Sequence, residues 1–174
     1  MHPRFLLAIV AAALVALPAA TAGAGTSTGL RATFVDIYSQ CPTHPPTLVF
    51  CTSSGTVVGY GAATGDAYLT GPLVPMGDCF GLSANRTIVL ANGAGSLTLT
   101  ETGTKCPPSE AANDVQGTGT RGDPYTVDKT ITGVKPGSGT GVFAGVCGAS
   151  GSDVNHSAGN AQASVVSATL TTSC

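Results

Sequence analysis

Few side chains in this sequence could act as acids, bases or nucleophiles. Charged residues make up 9% of the chain, and only His44 and His156 follow the first 24 residues as possible imidazole bases. A hydrolytic triad needs a serine, a base and an orienting acid, yet the chain has no G-x-S-x-G motif. His44 lies among prolines and His156 in a polar stretch, so both are expected on the surface. The sequence therefore contains no recognisable catalytic motif.

The cysteines form the clearest chemical pattern. They are Cys41, Cys51, Cys79, Cys106, Cys147 and Cys174. An even number of cysteines predicts three disulfides if the chain folds in an oxidising compartment, and the sequence leaves their connectivity open. Cys41 and Cys51 flank a proline-rich loop that can return the chain to itself, so we expect these two to pair. We expect no metal site and no cofactor, because no C-x-x-C pair occurs and the two histidines stand apart.

The first residues have the order of zones that is typical of a secretory signal peptide. His2 and Arg4 precede an apolar run over residues 5–17, and small residues with two A-x-A sites follow up to residue 24. The apolar run is shorter than the roughly 20 residues that a membrane span needs. We therefore expect residues 1–24 to be a signal peptide and residues 25–174 to form one soluble, secreted, disulfide-stabilised domain without a membrane span.

The composition of the chain limits its fold and its partners. The hydrophobic fraction is 43%, which is too high for a disordered chain, and about 150 residues suffice for one core. The net charge is −2, and no cluster of lysine and arginine exists that could neutralise phosphates. Nucleic acid is therefore excluded as an expected partner.

Short runs of alternating apolar and polar residues, bounded by glycine, proline and asparagine, predict an all-β fold. The clearest hairpin joins residues 86–91 to residues 96–102 through an Asn-Gly-Ala-Gly turn, with Leu97 and Leu99 facing the core. Asn85 and Asn155 both begin N-x-S/T triplets that fit the N-glycosylation pattern, and both are expected at turns. Whether either is modified depends on the host and stays open.

A glycine-rich run over residues 137–152, GSGTGVFAGVCGASGS, is the most distinctive stretch of the chain. Glycine within a strand marks a bulge, a sharp bend or the close approach of another backbone. We therefore expect a strongly coiled strand in which Phe143 anchors the core. Gly139, Gly141 and Gly148 are expected where the backbone bends or has no room for a side chain.

The run from Gly139 to Gly148 resembles the G-T-G-x-F-x-x-x-x-G strand that is shared by dirigent proteins and allene-oxide-cyclase-like barrels. The resemblance covers about a tenth of the chain and implies a single antiparallel barrel of about eight strands, which the order of the predicted strands also favours. A β-sandwich is the alternative fold. Dirigent proteins steer the coupling of phenoxy radicals and the cyclases close an epoxide ring, but the six cysteines depart from that pattern.

Two functions are consistent with these features. The first is a non-enzymatic secreted barrel that binds a small apolar ligand or serves as a surface or matrix component, because a barrel of this size has room for one small ligand. The second, which the resemblance implies, is an enzyme that positions a reactive intermediate inside the barrel. Its polar candidates are Tyr60, Asp66, Tyr68 and Arg86. We favour the first, because an enzyme site needs several titratable groups and this chain has few.

Overall fold

The computed structural model describes residues 26–37, 49–106, 126–158 and 161–174, with the side chains of residues 49–51, 126 and 157–158 excepted. Nearly all of these residues lie in strands. The strands are β1 (Ser27–Ile37), β2 (Val49–Val57), β3 (Gly61–Leu69), β4 (Val74–Met76), β5 (Cys79–Leu90), β6 (Ser96–Cys106), β7 (Thr126–Val134), β8 (Gly148–Ala158) and β9 (Ala161–Thr171). The predicted signal peptide, residues 1–24, lies outside the described residues.

Eight of the strands form a closed antiparallel β-barrel. The hydrogen-bonded order is β3-β2-β1-β9-β8-β7-β6-β5, and pairing of β3 with β5 closes the ring. The short strand β4 pairs with the start of β5 outside this ring. The predicted eight-stranded barrel is therefore confirmed and the alternative β-sandwich is wrong. None of the helical segments among the described residues is long and apolar enough to span a membrane.

Strict alternation along the strands decides which side chains face the barrel interior. In β1 every second residue from Leu30 to Asp36 is buried and the residues between them are exposed. The hairpin of β5 and β6 follows the predicted pairing, and Leu97 and Leu99 are both fully buried. The apolar core consists mainly of side chains from one half of the barrel, where β1 and β6 begin and β9 ends; its largest members include Leu30, Phe34, Ile88, Leu90, Leu97, Leu99, Ile131, Phe143, Val166 and Leu170.

The glycine-rich run forms a plug at this apolar end, and the prediction of a strand through Phe143 is wrong. Residues 141–143 form one 3-10 turn, and β8 begins only at Gly148. Gly141 and Gly145 have φ values of 55° and 81°, which a side chain disfavours, so the chain cannot stay extended there. Phe143 is nevertheless buried, with 2% of its surface exposed, and so closes this end of the barrel.

Gly141 is the tightest glycine of the plug. A Cβ atom at this position would lie 1.8 Å from the carbonyl oxygen of Ala94, whose backbone accepts a hydrogen bond from the amide of Val142. A Cβ at Gly139 would also meet backbone, 2.4 Å from the carbonyl oxygen of Phe143. Gly148 differs, because a Cβ there would meet nothing nearer than 3.5 Å. The expectation of a crowded backbone site therefore applies to Gly139 and Gly141 but not to Gly148.

Two disulfides fasten opposite ends of the barrel. Cys147 bonds to Cys174 beside the plug, and Cys79 bonds to Cys106 where β5 begins and β6 ends. No free cysteine occurs among the residues that the structure describes. The predicted pair of Cys41 with Cys51 lies outside what the structure describes, since Cys41 and the side chain of Cys51 are not included.

Candidate functional site

Arg86 is the centre of a charged cluster inside the barrel. It lies on β5 between Ala84 and Ile88, in the inward phase of the strand, and is completely buried. Its Nη1 and Nη2 atoms donate to the two carboxylate oxygens of Asp36 on β1, over 3.0 and 2.8 Å. Its Nε donates to Asp153 on β8 over 2.8 Å. Such paired, planar contacts are the strongest that arginine makes with carboxylates.

Lys129 on β7 joins a third carboxyl group to the cluster. Its Nζ lies 2.6 Å from Oδ2 of Asp153 and 2.6 Å from Oε2 of Glu101 on β6. Among the residues that the structure describes, no donor reaches the other carboxyl oxygen of Glu101, Oε1, although it is buried. Two cations therefore contact three carboxyl groups in this cluster. A third buried cation, Lys105, lines the cavity beside it.

Uncharged polar side chains complete the contacts of the two aspartates. Ser53 and Gln162 donate to Asp36 over 2.5 and 2.8 Å, and Ser164 donates to Asp153 over 2.5 Å. The Arg86 guanidinium also lies 5.2 Å from the centre of the Phe34 ring, on the boundary with the apolar core. These contacts supply the hydrogen bonds that buried carboxylates require.

The environment moves the pKa values of the carboxyl groups in opposite directions. Burial raises the pKa of Glu101 to about 7, and Lys129 offsets this only in part. Burial also opposes ionisation of Asp153, but the charges of Arg86 and Lys129 outweigh it and hold the pKa of Asp153 well below its usual range. For Asp36 the same desolvation is outweighed by the hydrogen bonds and charge of Arg86, which lower its pKa. Glu101 is thus the carboxyl group most easily protonated.

A cavity adjoins the charged cluster on the side away from the plug. Its volume is about 60 Å³, counted as the space open to the centres of water molecules, which corresponds to about four to six waters. Its apolar walls are Ala67, Leu69, Leu73, Leu82, Ala84 and Val127. Its polar walls are Tyr68, Lys105, Lys129, Asn155 and Gln162. The cavity therefore combines an apolar surface with a few polar groups, as small-molecule sites do.

The four polar residues that the sequence suggested do not form one group. Arg86 lies in the charged cluster, whereas Tyr60 lies at the plugged end with its ring 5.6 Å from that of Phe143. Ala63 and Ala67 of β3 face the interior, and Asp66 and Tyr68 lie on the opposite face of the strand. Tyr68 accepts a hydrogen bond from Asn85 over 3.0 Å and also contacts the cavity.

Both asparagines of the glycosylation triplets lie within strands, so the prediction that they occupy turns is wrong. Asn85 is in the middle of β5 and is 9% exposed. Asn155 is in β8, completely buried, and its amide donates to the backbone carbonyls of Asp153 and Val127. The period-2 alternation of β8 makes Asn155 an interior residue that lines the cavity. His156, the next residue, is exposed on the outside of the barrel.

Sequence reasoning missed most of the charged cluster. Asp36, Glu101, Lys129 and Asp153 were not identified, although a signal for them exists in three of the strands. Asp36 continues the inward series of Leu30, Ala32 and Phe34, and Glu101 continues that of Leu97 and Leu99. Lys129 lies between Val127 and Ile131 in the same way. A charged residue in the apolar phase of an alternating strand indicates a buried ion.

The arrangement can bind a polar group and can hold or exchange a proton. Lys129 has one hydrogen left after its two carboxylate contacts, because an ammonium group has three. Glu101 can change its protonation near neutral pH. Within the described ranges there is no group of three histidine, cysteine, aspartate or glutamate residues that could hold a metal ion.

The fold and the site define a small closed β-barrel with a charged interior beside a cavity. A scan against protein-family models gave no match, and searches of the curated proteins and of the solved structures gave none either. The functional conclusion therefore depends on the interior of the barrel itself.

Proposed function

We propose that this protein is a secreted β-barrel that binds one small amphipathic molecule in the cavity between Leu82 and Lys129. The cavity is the single observation that carries this proposal, because it surrounds one space inside the barrel with apolar walls and a few polar groups. The apolar part of the ligand would contact side chains such as Leu69 and Leu82, and its polar group would reach Lys129 or Gln162. Few polar groups among apolar walls are typical of such sites.

Export is part of the proposal. The two disulfides Cys79–Cys106 and Cys147–Cys174 are consistent with folding in an oxidising compartment. The zones of the first 24 residues support the same compartment. Protein collected outside the producing cell should begin at Gly23 or Gly25 on N-terminal sequencing. A chain that still begins at Met1 would contradict export by this route.

Binding can be tested with hexan-1-ol, which has an apolar chain and one hydroxyl group. Titration into isotopically labelled protein should shift the methyl resonances of Leu82 and Val127, which line the cavity. Ala84→Leu adds three carbons to the cavity wall and should weaken binding at least about tenfold, or about 1.4 kcal/mol. Ala163→Leu is the matched control, because Ala163 is exposed on the outer face of β9 and away from the cavity. Equal binding by both variants would place the ligand elsewhere and contradict the proposal.

The alternative of a dirigent- or cyclase-like enzyme is supported by one feature of the interior. Glu101 and Asp153 are carboxyl groups on either side of Lys129 whose pKa values are shifted in opposite directions. Pairs of this kind serve as acid and base in enzymes. Glu101→Gln would then abolish turnover of a bound substrate while leaving its binding intact. Binding of a substrate by the wild-type protein without any turnover would support the binding function alone.

A further inference from the structure

The five charged groups in contact around Arg86 and Lys129 do not balance unless one carboxyl group carries a proton. Arg86 and Lys129 contribute two positive charges, and Asp36, Asp153 and Glu101 would contribute three negative charges when all are ionised. All five residues are at most 7% exposed. An unbalanced charge at such burial is costly, and proteins avoid it by shifting protonation.

Glu101 is the group on which this proton is best placed. Both oxygens of Asp36 and both oxygens of Asp153 accept hydrogen bonds, from Arg86, Ser53, Gln162, Ser164 and Lys129 together. Glu101 has a partner at Oε2 only, since no donor within the described residues reaches Oε1. A carboxyl group that lacks donors gains least from ionisation.

The proton on Glu101 lies close to the cavity because Lys129 contacts Glu101 and also lines the cavity. Lys129 lines the cavity and contacts Glu101 over 2.6 Å. A carboxylate that entered the cavity could accept the remaining hydrogen of Lys129, and would then stand beside the ammonium group together with Asp153 and Glu101. With Glu101 ionised, three anions would surround Lys129. Arg86, which is already bonded to Asp36 and Asp153, would offset their mutual repulsion only in part, so this repulsion would oppose binding. With Glu101 protonated, one of these negative charges is removed.

We propose that the cavity binds an anionic amphiphile, a small carboxylate with an apolar body, together with one proton held on Glu101. This inference rests on the proposed binding function and adds the charge of the ligand and its dependence on pH. No covalent bond changes, since the proton comes from solvent to Glu101 and the ligand arrives as its carboxylate. Burial of Glu101 raises its pKa to about 7, so the exchange falls near neutral pH.

The charged groups that face Glu101 come from several strands. Lys129 of β7 contacts it directly, while Asp153 of β8 and Arg86 of β5 act on it through their charges. Lys105 lies four residues further along β6, about 13 Å away at the rise of an extended strand, and lines the cavity. Burial raises the pKa of Glu101 despite these neighbouring cations, whereas the charges of Arg86 and Lys129 outweigh burial at Asp153 and lower its pKa.

A comparison of hexanoate with hexan-1-ol separates the effect of the ligand's charge on binding from that of its apolar chain. Hexanoate is ionised throughout the range from about pH 6 to about pH 9, since carboxyl groups titrate near pH 4 to 5. Its affinity for the wild-type protein should fall about tenfold for each pH unit above the titration midpoint of Glu101, because only the protonated fraction binds. The affinity of uncharged hexan-1-ol should stay constant over the same range.

Glu101→Gln provides the decisive variant. The amide has the shape of the protonated acid and no charge, so hexanoate should bind this variant with the affinity of the low-pH wild type at every pH. Asp78→Asn is the control, because Asp78 is an exposed carboxylate beside β4 and its removal should leave the pH dependence unchanged. By reciprocity, saturating hexanoate should raise the midpoint at which the Glu101 carboxyl carbon titrates in NMR spectra of the wild type.

Each result has a distinct meaning. Binding of hexanoate that is independent of pH in the wild type, or that keeps its pH dependence in Glu101→Gln, would overturn the proton coupling. Binding of hexan-1-ol without hexanoate binding at pH 6 would overturn the anionic ligand and leave the binding function standing. Failure of both probes to bind would remove the binding function and this inference with it.

Discussion

The two ends of the barrel are built by the same strands but serve different purposes. At the plugged end, Phe143 and the leucines of β5, β6 and β9 exclude water and leave no room beside Gly141. At the cavity end, the same strands contribute Arg86, Glu101 and Gln162 and leave a space of about 60 Å³. The apolar end supplies burial, which is the main favourable term in folding. The cavity end contains costly buried charges, and such groups are commonly retained for function.

Removal of Arg86 should have the largest effect on stability. Arg86→Met keeps much of the side-chain volume but leaves Asp36 and Asp153 without their principal cation. Breaking a buried ion pair from one side costs about 3–5 kcal/mol, and here two carboxylates lose a partner. Guanidinium unfolding measures the loss. Arg31→Met is the control, because Arg31 is exposed on β1 and should change stability by less than about 0.5 kcal/mol. Equal stability of both variants would contradict the conclusion that Arg86 stabilises the buried carboxylates.

Truncation of the plug should cost nearly as much while sparing the cavity. Phe143→Ala removes a buried aromatic side chain and should cost about 3–5 kcal/mol in denaturant unfolding. Binding of hexan-1-ol at the other end should be unchanged in the fraction that stays folded. Val142→Ala is the matched control, since Val142 is 50% exposed in the same turn. A Phe143→Ala variant as stable as the parent would mean that the plug does not contribute to the core.

The two disulfides allow a direct comparison of the two ends. Each joins cysteines that are 27 residues apart in the sequence, so the loss of chain entropy in the unfolded state is the same for both. Replacing either pair by serine should therefore cost about 3–4 kcal/mol. Only the Cys79→Ser, Cys106→Ser variant should also weaken hexan-1-ol binding, because β5 and β6 border the cavity at that end. Unfolding curves and the binding titration test both statements. Weakened binding on loss of Cys147–Cys174 instead would show that the two ends are not independent.

Gly141 should tolerate a side chain less well than Gly148. Gly141→Ala forces a residue with a Cβ atom into a backbone conformation with φ 55° and against the carbonyl of Ala94, so a loss of about 2–3 kcal/mol is expected. Gly148→Ala, at the start of β8, should change stability by less than about 0.5 kcal/mol. Thermal unfolding of the two variants provides the comparison. A greater loss at Gly148 would contradict this comparison and would favour the sequence-based prediction that Gly148 has no room for a side chain.

Much of the barrel could be predicted from the sequence because its strands alternate locally. The turn at residues 91–95 and the inward Leu97 and Leu99 follow from a few neighbouring residues. The plug could not be predicted in this way, because its conformation depends on positive φ values at Gly141 and Gly145 and on hydrogen bonds to the distant β5–β6 turn.

The charged cluster was harder to predict because its members are far apart in the chain. Arg86 meets Asp36 across 50 residues and Asp153 across 67 residues. Only the closed ring of strands brings these side chains together. Charged side chains such as those of Glu101 and Lys129 ordinarily lie at the surface. The alternation that places these two inside has meaning only once the inward phase of each strand is known.

Glu101 should make the stability of the barrel depend on pH between the values at which it titrates in the unfolded and folded states. Burial raises its pKa from 4.5 to about 7 in the folded protein. The protonated form is thus favoured by folding, and its contribution is complete below about pH 4.5, decreases as the pH rises toward 7, and is lost above that value.

Urea unfolding from pH 5 to pH 8 should show a loss on the order of 2–3 kcal/mol for the wild type relative to Glu101→Gln, whose amide does not titrate. Asp36 and Asp153 do not interfere in this range, because their lowered pKa values affect stability only as the pH falls below their usual 3.8. Parallel stability curves for the wild type and Glu101→Gln would show that Glu101 is ionised throughout this pH range.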